Sequence, residues 1–356
     1  MRMSIVGLAF SGKTSFFELL TKHGVDSAVS GKKGRNIGTV FVPDERLDHL
    51  TGVYEPKKKV SAALEFTDSQ SLSTEGAGNS FSTVALEEIR RADTLCLVIQ
   101  GFDTIPHPID DVDPPRDLEF IHGELILNDL MTLEKRAEKL RKVAQISKKQ
   151  EDLLELAAVD KAVAALEEER ALRNVDLTEN EIKALSGYQL MTLKPLLVVL
   201  NVGENEIAEM DALLTPMRER HPELNFTAMC AELENELAAM EPEDASEFMA
   251  DLGIAEPAFS RIVQACLDLV GLQVFFTVGP DECRAWPIAK SSSAYDAAGA
   301  IHSDIQRGFI RASVMPYAVF AESPSPDQFK DSAVQQKKDY IMQDGDIVEF
   351  KFSVSK

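Results

Sequence analysis

The segment "GLAFSGKT", residues 7–14, matches the pattern G-x-x-x-x-G-K-[ST] of a phosphate-binding loop. Its glycines let the backbone approach a polyphosphate, and the amide hydrogens that follow point at the phosphate oxygens. A helix that begins there adds a positive field at the same place. The candidate phosphate-binding residues are Gly7, Phe10, Ser11, Gly12, Lys13, Thr14 and Ser15.

Lys13 and Thr14 carry the chemistry of this loop. Lys13 would bridge the β- and γ-phosphates of a nucleoside triphosphate and assist its cleavage, and Thr14 would give its hydroxyl to Mg²⁺. Asp68 ends the next predicted strand and is the natural second magnesium ligand, directly or through water. The alternatives are a chance Gly-Lys-Thr helix start and an Asp that caps a helix or forms a turn.

Alternating strands and helices position these residues. Ser4 to Leu8 is a predicted buried strand, and "SGKTSFFELLTKHG" is a predicted helix after it. The strand "AALEFTD" ends at Asp68, and "TLCLVIQ" follows the helix "STVALEEIRRAD". A fourth strand runs from Leu196 to Leu200. This alternation predicts an α/β fold with a mostly parallel, doubly wound sheet, whose ligands bind at the carboxyl ends of the strands.

The fourth strand ends in a motif that bears on which base is bound. A guanine-binding protein would carry Asn-Lys-x-Asp there, whereas this chain has Asn201, Val202, Gly203 and Glu204. Because this motif follows a buried parallel strand, it lies at the predicted ligand edge of the sheet. Taken alone, a capped turn after a strand would have a similar sequence.

Two heptad-like apolar seams separate the third and fourth strands. Their flanking positions are rich in Glu, Lys and Arg, which is typical of a two-stranded coiled coil. We predict an antiparallel helical hairpin, about residues 122–186, inserted into a nucleotide domain of residues 1–272. The alternative is two ordinary helices on the sheet. The seam residues are Ile126, Leu130, Leu133, Ala137, Leu140 and Ala144, then Leu156, Val159, Val163 and Leu166.

Residues 273–356 have a different character. The runs "QVFFTV", "CRAWPIA", "FIRASVM" and "DIVEFKFSV" surround one helix-like segment, "AYDAAGAIHSDIQRG", and predict a separate small α+β domain. Arg307 and Arg311 lie near Phe309, and "QQKKDYIM" places two lysines near Tyr340. Such a pattern fits RNA binding by phosphate pairing and stacking, and it equally fits charged groups that border a core.

Composition limits the possible functions. The net charge of -22 over 356 residues argues against a chain that coats DNA or RNA by charge alone, so RNA contact would need a local basic face. The 4 cysteines are too scattered for a disulfide framework or a paired zinc motif, which favours a reducing compartment. The N-terminal "MRMSIVGLAF" is neither a signal peptide nor a membrane span.

Several strings, spread in order over almost the whole chain, are similar to the YchF/Obg-like ATPases, a branch of the translation-factor GTPases. They are "GLAFSGKTSFFELLTK", "NIGTVFVPDERLDHL" with "YEPKKKV", "DPPRDLEFIHGELILNDLMTLEKR", "LNVGENE", "GFIRA" and "DYIMQDGDIVEFKF". The resemblance implies a P-loop G domain, an inserted coiled coil and a C-terminal β-grasp domain of the TGS type. It also implies Mg²⁺-dependent ATP binding, a ribosome or RNA partner, and a cytoplasmic location.

The resemblance assigns Asn201, Val202 and Glu204 to ATP selection. Members carry Asn-x-x-Glu, and the longer Glu204 displaces the carboxylate that would accept the N1 and N2 hydrogens of guanine. Val202 removes a lysine stem that would pack over the base, and Asn201 can pair with an adenine edge. The backbone at Cys230, in the last loop of the G domain, would face the base.

The sequence departs from this family in its switch segments. The family's switch II is Asp-x-x-Gly followed by an apolar residue, but here Ser71 replaces the glycine whose amide would contact the γ-phosphate, before Leu72. Switch I, "SAVSGKKGRN", has no threonine at the expected place, and Ser30, Lys32 or Lys33 would have to compensate.

The resemblance also assigns a catalytic histidine. His107 lies in the loop after the third strand, ten residues before Asp117, and matches the family's water-positioning histidine. The alternative is a solvated loop histidine. We therefore predict a slow Mg²⁺-dependent ATPase linked to translation. The alternatives are a nucleotide sensor that does not hydrolyse and a GTP-binding switch protein.

Overall fold

The computed structural model describes residues 2–23, 29–31, 35–69, 72, 74–75, 80–147, 149–254 and 256–353. The chain divides into two units. Unit 1 comprises Met1–Thr39 and Glu65–Phe259, and unit 2 comprises Val40–Leu64 and Ser260–Lys356. Unit 2 therefore combines two stretches of sequence, whereas the sequence prediction took residues 273–356 alone as the C-terminal domain.

The strands, in chain order, are β1 (Arg2–Val6), β2 (Val29–Gly31), β3 (Arg35–Phe41), β4 (Lys58–Val60), β5 (Ala63–Asp68), β6 (Thr74–Glu75), β7 (Ser80–Phe81), β8 (Thr94–Gly101), β9 (Leu196–Val202), β10 (Asn225–Met229), β11 (Leu272–Thr277), β12 (Glu282–Ala289), β13 (Phe309–Pro316), β14 (Val334–Gln336) and β15 (Asp346–Phe352).

The helices are α1 (Lys13–His23), α2 (Glu45–Tyr54), α3 (Thr83–Arg91), α4 (Pro114–Ser147), α5 (Gln150–Glu167), α6 (Glu179–Leu185), α7 (Met210–Arg220), α8 (Ala231–Leu237), α9 (Pro242–Asp251), α10 (Ala258–Leu269), α11 (Ala294–Ile301), α12 (Ser303–Arg307), α13 (Tyr317–Glu322) and α14 (Gln328–Ser332). Short 3₁₀ turns occupy Leu172–Asn174, Ser186–Tyr188 and Glu204–Glu209.

The sheet of unit 1 has the strand order β10-β9-β8-β1-β5-β3-β2. The pairs β1–β5, β1–β8, β8–β9 and β9–β10 are parallel, and the edge pair β2–β3 is antiparallel. This confirms the predicted doubly wound fold. β1 lies between β5 and β8, so the carboxyl ends of these three strands are neighbours, and they form the ligand edge of the sheet.

Two expectations about unit 1 need correction. The first strand spans Arg2–Val6 rather than Ser4 to Leu8, and Leu8 makes only an isolated bridge to Leu72. The sequence prediction also missed the β2–β3 hairpin, because it assigned that segment to a switch loop.

Burial explains why the central strands form. All seven residues of β9 are buried, as expected for a parallel strand covered on both faces. Its alternate residues, from Leu196 to Val202, join a cluster that includes Leu97, Leu118 and Leu214. α3 is amphipathic and begins at Ser82, whose side chain accepts a hydrogen bond from the amide of Ala85.

α4 and α5 form the predicted helical hairpin. α4 ends at Ser147 and α5 begins at Gln150, so the short connection makes the two helices antiparallel. The described seam residues, which exclude Ala144, build a core of their own, which also takes in Leu172 and Leu185. A separate core is what an inserted element needs to be stable, and it favours a coiled coil over two helices that lie on the sheet.

Unit 2 has a six-stranded sheet in the order β14-β13-β15-β11-β12-β4. β11 and β12 form an antiparallel hairpin, β15 runs parallel to β11, and a capping box of Ser293 and Asp296 starts α11. This arrangement confirms the predicted β-grasp architecture. The single helix expected here is instead two, because His302 has an extended backbone and its side chain caps α12.

Among the helices that the structure describes, none combines the length and the hydropathy of a membrane span.

A buried histidine near the base of the hairpin makes unit 1 sensitive to acid. His122 is 7% exposed, and burial lowers its pKa to about 4, with further lowering by Arg173 and His221 and opposition from Glu119 and Glu223. Its folded pKa lies below the ordinary value of 6.5, so the unfolded chain binds more protons between the two values. Stability is therefore lost as the pH falls through this window.

We expect acidification from pH 7.5 to pH 5 to cost roughly 2 kcal/mol of unfolding free energy through this one group. His122→Phe keeps an aromatic ring and should remove that part of the pH dependence, as measured by urea unfolding at both pH values. His302→Asn, which keeps a capping side chain in unit 2, is the control. It should leave the pH dependence of the unfolding free energy unchanged. An unchanged pH dependence in His122→Phe would contradict the assignment.

Candidate functional site

The loop between β1 and α1 needs both of its glycines. Gly7 has φ +156 and Gly12 has φ +90, and L-residues rarely adopt such values. A Cβ atom on Gly7 would lie 2.3 Å from the carbonyl oxygen of Val98, and one on Gly12 would lie 2.1 Å from Nδ2 of Asn201. The backbone at the ligand edge is therefore packed directly against β8 and β9.

Lys13 is buried inside this loop. Lys13 is 5% exposed, and its Nζ donates a hydrogen bond of 2.6 Å to the carbonyl oxygen of Leu8. Burial lowers the pKa of Lys13 to about 8, and the nearby charge of Asp68 partly opposes this shift. A desolvated ammonium group of this kind is stabilised by a polyanion that binds beside it.

The first turn of α1 exposes two hydroxyl side chains, those of Thr14 and Ser15. Phe10 lies at the surface with φ +65, an uncommon conformation for an aromatic residue, and Ser11 is buried. Within the described part of the chain, the Oγ atom of Ser11 has no hydrogen-bond partner. The turn therefore combines exposed hydroxyls with a strained backbone, as in loops that bind ligands.

Asn201 connects the loops around this site. It is 4% exposed, its Nδ2 donates to the carbonyl oxygen of Ser11 at 3.1 Å, and its Oδ1 accepts from the amide of Ala231 at 3.0 Å. The side chain thus joins the phosphate-binding loop to the start of α8. Contact between Asn201 and a base edge would have to use the second Nδ2 hydrogen or the second lone pair of Oδ1, and it stays a prediction.

The other residues predicted to contact the base lie in different environments. Val202 ends β9 with its side chain in the hydrophobic core, so it does not line a base pocket. Glu204 is exposed, and Cys230 is buried at the start of α8. Burial raises the pKa of the Cys230 thiol, and the charge of Glu204 adds to this shift. Glu204 therefore lies close enough to influence the Cys230 thiol, whereas Val202 and Cys230 both belong to the hydrophobic core.

Asp68 ends β5, opposite Ile5 of β1, so its charge reaches Lys13. This position suits an acid that helps to hold a cation at the phosphates. No group of three or more His, Cys, Asp or Glu in metal-binding arrangement occurs within the described ranges. A magnesium ion held by Thr14, one carboxylate, phosphate oxygens and water does not require such a group.

His107 is enclosed by α4 residues rather than solvated. Its Nε2 lies 2.7 Å from Oδ2 of Asp117, and the two side chains are 1% and 2% exposed. Nη2 of Arg116 contacts Oδ1 of Asp117 at 2.9 Å and also donates to the carbonyl oxygen of Asp111 at 2.8 Å. Burial raises the pKa of Asp117. Arg116 thus orders this loop, and a catalytic role of His107 would require its ring to leave Asp117.

Gln100 is a site residue that the sequence analysis missed. It is 2% exposed, it pairs with Asn201 in the β8–β9 register, and its Nε2 donates to the carbonyl oxygens of Phe102 and Ile105, each at 3.0 Å. These bonds shape the loop that carries His107. A polar side chain at the end of a buried parallel strand was the available signal, as it was for Asn201.

The aromatic residues of the basic patch in unit 2 belong to its core. Phe309 and Tyr340 pack against the hydrophobic cluster that contains Phe275, and the hydroxyl of Tyr340 donates to Asp346 at 3.0 Å. Arg307 forms an ion pair with Asp304. These two rings are therefore not exposed stacking platforms for RNA bases.

The chain is similar over its whole length to curated proteins. It is 37% identical over 365 residues to the ribosome-binding ATPase YchF of Bacillus subtilis, with 98% of each chain covered. It is 35% identical over 371 residues to Obg-like ATPase 1 of Oryza sativa subsp. japonica, covering 100% of this chain and 93% of the rice protein. This chain belongs to the YchF/Obg-like ATPase family.

Two further comparisons agree with membership of the YchF/Obg-like family. The family YchF-GTPase_C, described as a protein of unknown function (DUF933), matches residues 272–353. The solved structure of the Schizosaccharomyces pombe YchF GTPase superposes with a TM-score of 0.86 at 26% identity, covering 99% of this chain and 97% of that chain. The fold resemblance inferred from the sequence strings is thereby confirmed.

The switch segments expected in a YchF/Obg-like protein are only partly described. Ser71, Lys32 and Lys33 lie outside the described residues, so their predicted roles stay predictions. Leu72 is 2% exposed, and its amide donates to the carbonyl oxygen of Gly7 at 2.9 Å. Its side chain belongs to the core beneath the phosphate-binding loop. An apolar, buried residue at this position has no group that could orient water.

Proposed function

We propose that this protein is a slow, Mg²⁺-dependent ATPase that acts as a nucleotide-dependent switch on the ribosome. The observation that carries the proposal is the desolvated Lys13 ammonium inside a glycine-bounded loop at the sheet's ligand edge. The Bacillus subtilis relative is named a ribosome-binding ATPase. A ribosome partner, met through the coiled coil and the C-terminal β-grasp domain, would imply a cytoplasmic location.

A preference for ATP over GTP rests on Glu204 and Val202. The exposed Glu204 carboxylate is one methylene longer than the aspartate of a guanine-binding motif, and the buried Val202 leaves no stem over the base. The Schizosaccharomyces pombe relative is described as a GTPase, so GTP binding is the alternative that any test must include.

The residues present fit a magnesium ion. Thr14 presents an exposed hydroxyl at the first turn of α1, and Asp68 ends the neighbouring strand. When bound, the ion would neutralise charge on the β- and γ-phosphates. Lys13 and the loop amides hold the phosphates, and the buried surroundings strengthen these charge interactions. Hydrolysis would then depend on positioning, and His107 is the candidate that orients water.

α4 offers a physical link between this site and the coiled coil. It is one helix of 34 residues that begins beside the His107 loop and continues into the hairpin. Near its base, Phe120 packs edge-to-face on Phe81 of β7 at 5.6 Å, and Glu124 accepts a hydrogen bond from the backbone of Phe81. A nucleotide-dependent shift of the segment containing β7 would therefore move the base of the hairpin.

The second candidate is a nucleotide sensor that binds but does not hydrolyse. The enclosure of His107 by Asp117 favours it, because a ring that is 1% exposed cannot orient water without moving. The two functions differ in one measurable respect, which is release of phosphate from bound ATP.

We expect His107→Ala to lower the rate of phosphate release from ATP by about 100-fold or more, since a positioned acid–base group contributes roughly 10²- to 10⁴-fold. Its ATP dissociation constant should stay within about threefold of wild type. His302→Ala, in unit 2, serves as the control and should hydrolyse ATP at the wild-type rate. Equal rates in His107→Ala and wild type would remove His107 from the mechanism while leaving the ATPase proposal standing.

A further inference from the structure

A groove of about 870 Å³ lies in unit 1, away from the phosphate-binding loop in sequence and built from other elements. Its walls come from the base of α4, from the turn after α5, and from the end of α7. Neither the proposed catalytic residues nor the proposed nucleotide ligands line it. The groove is therefore distinct from the proposed nucleotide-binding site.

The groove has an excess of negative charge. Five glutamates and two arginines line it, and both arginines already form ion pairs with glutamates of the groove. Arg170 pairs with Glu168 at 2.8 Å, and Arg220 pairs with Glu119 at 2.6 Å. The remaining acids are Glu167, Glu169 and Glu223, the last of which accepts from Asn174 at 3.2 Å.

The dipole of α5 makes the negative charge of the groove less favourable. α5 ends at Glu167, its last turn contains no basic residue, and Glu168 and Glu169 follow at once. Carboxylates at a helix C-terminus face the negative end of the dipole, where cations are favoured. Glu169 also has φ +57, the left-handed conformation that glycine usually takes in such a cap. Arg170 already pairs with Glu168, so a further cation opposite Glu167 and Glu169 would be favourable at this position.

The groove also has an apolar floor with an unsatisfied polar atom. Ile126, Leu127 and Leu130 of α4 contribute to the floor, and Leu127 is 46% exposed. The ring of His122 lines the same floor and packs edge-to-face on His221 at 5.6 Å. His122 is 7% exposed, and in the described structure its Nε2 has no hydrogen-bond partner. Buried polar atoms are normally paired, so this nitrogen points independently to an occupant of the groove.

We propose that this groove binds a basic amphipathic segment of a partner protein. Apolar side chains of the segment cover Leu127 and its neighbours, and its lysines or arginines lie opposite Glu167 and Glu169. A turn of the His122 ring would bring its enclosed Nε2 to a polar group of the segment. Nucleic acid does not fit, because its phosphates would be repelled by the glutamates. Basic side chains on an apolar helix face match both features of the groove.

The probe is a fluorescein-labelled peptide of Leu and Lys, about 18 residues or roughly five helical turns long, with Leu at helical i, i+3, i+4, i+7 spacing. Its binding to the full chain is measured by fluorescence anisotropy. The groove variants are the double substitution Glu167→Gln/Glu169→Gln and the single substitution Leu127→Gln, all at exposed positions that leave the core intact. The matched control is Glu243→Gln/Glu247→Gln on α9, which changes the net charge equally at exposed positions.

We expect the double groove variant to weaken peptide binding about tenfold and Leu127→Gln about threefold. The control should stay within about twofold of wild type. An equal loss in the control would mean general attraction to an acidic chain and would overturn the proposal. Binding of a fluorescein-labelled single-stranded RNA of similar length that the double groove variant weakens to the same extent would overturn it as well. So would equal binding of a peptide with the same composition but scrambled spacing.

Discussion

Replacing Lys13 by alanine lowers the affinity for ATP by about 100-fold or more, which corresponds to about 2.7 kcal/mol. Lys13 is 5% exposed, so its ammonium group is already desolvated before any phosphate binds. Truncating one partner of a buried charge pair costs about 2–5 kcal/mol, because the other charge is left without its counter-ion. The measurement is isothermal titration of Mg²⁺-ATP into wild type and variant.

Lys57→Ala is the matched control, since its side chain is 81% exposed and lies in unit 2. It should bind ATP as the wild type does. The same titration, repeated at several pH values, tests the protonation state of Lys13. The pKa of Lys13 is lowered to about 8, and only the protonated form attracts phosphate, so the affinity should fall as the pH rises above 8. ATP binding by Lys13→Ala within about threefold of wild type would contradict the assigned site.

Asp129→Ala is expected to destabilise unit 1 by about 3–5 kcal/mol. Asp129 of α4 is 1% exposed and accepts three hydrogen bonds, from the amides of Met191 and Thr192 at 3.1 and 2.7 Å and from the Thr192 hydroxyl at 2.7 Å. Removing the carboxylate leaves all three donors buried without an acceptor. This carboxylate connects the helical hairpin to the segment that leads into β9.

The measurement for Asp129→Ala is urea unfolding, with native-state hydrogen exchange to separate unit 1 from unit 2. Asp129→Asn is the matched variant, since its one amide oxygen keeps part of the acceptor set in the same volume, and it should cost less than the alanine. Glu138→Ala on the exposed surface of α4 should change stability by less than about 0.5 kcal/mol. A loss below about 1 kcal/mol in Asp129→Ala would show that the three bonds are replaced by water.

The parts of the fold that local sequence determines were predictable. Gly7 and Gly12 occupy backbone conformations that other residues rarely adopt, so their spacing identifies the loop without tertiary information. The seams of α4 and α5 follow helical periodicity over several turns, and they pack as predicted. The β2–β3 hairpin was missed because its sequence has no turn signal as strong as these.

The candidate site was less predictable, because its contacts join residues that are distant in sequence. The sequence put Asn201 at the ligand edge, but its partners Ser11 and Ala231 are 190 and 30 residues away. Val202 continues the strand, and the alternation of faces carries its side chain into the core. The enclosure of His107 depends on how α4 begins, which no spacing rule reveals.

The most direct test of the account is phosphate release from ATP and from GTP, measured in parallel with binding of each nucleotide in the same Mg²⁺-containing samples. We expect ATP to bind at least about tenfold more tightly than GTP. We also expect slow release of phosphate from ATP that clearly exceeds the Lys13→Ala background. Tighter binding of GTP, or no release above that background, would contradict it.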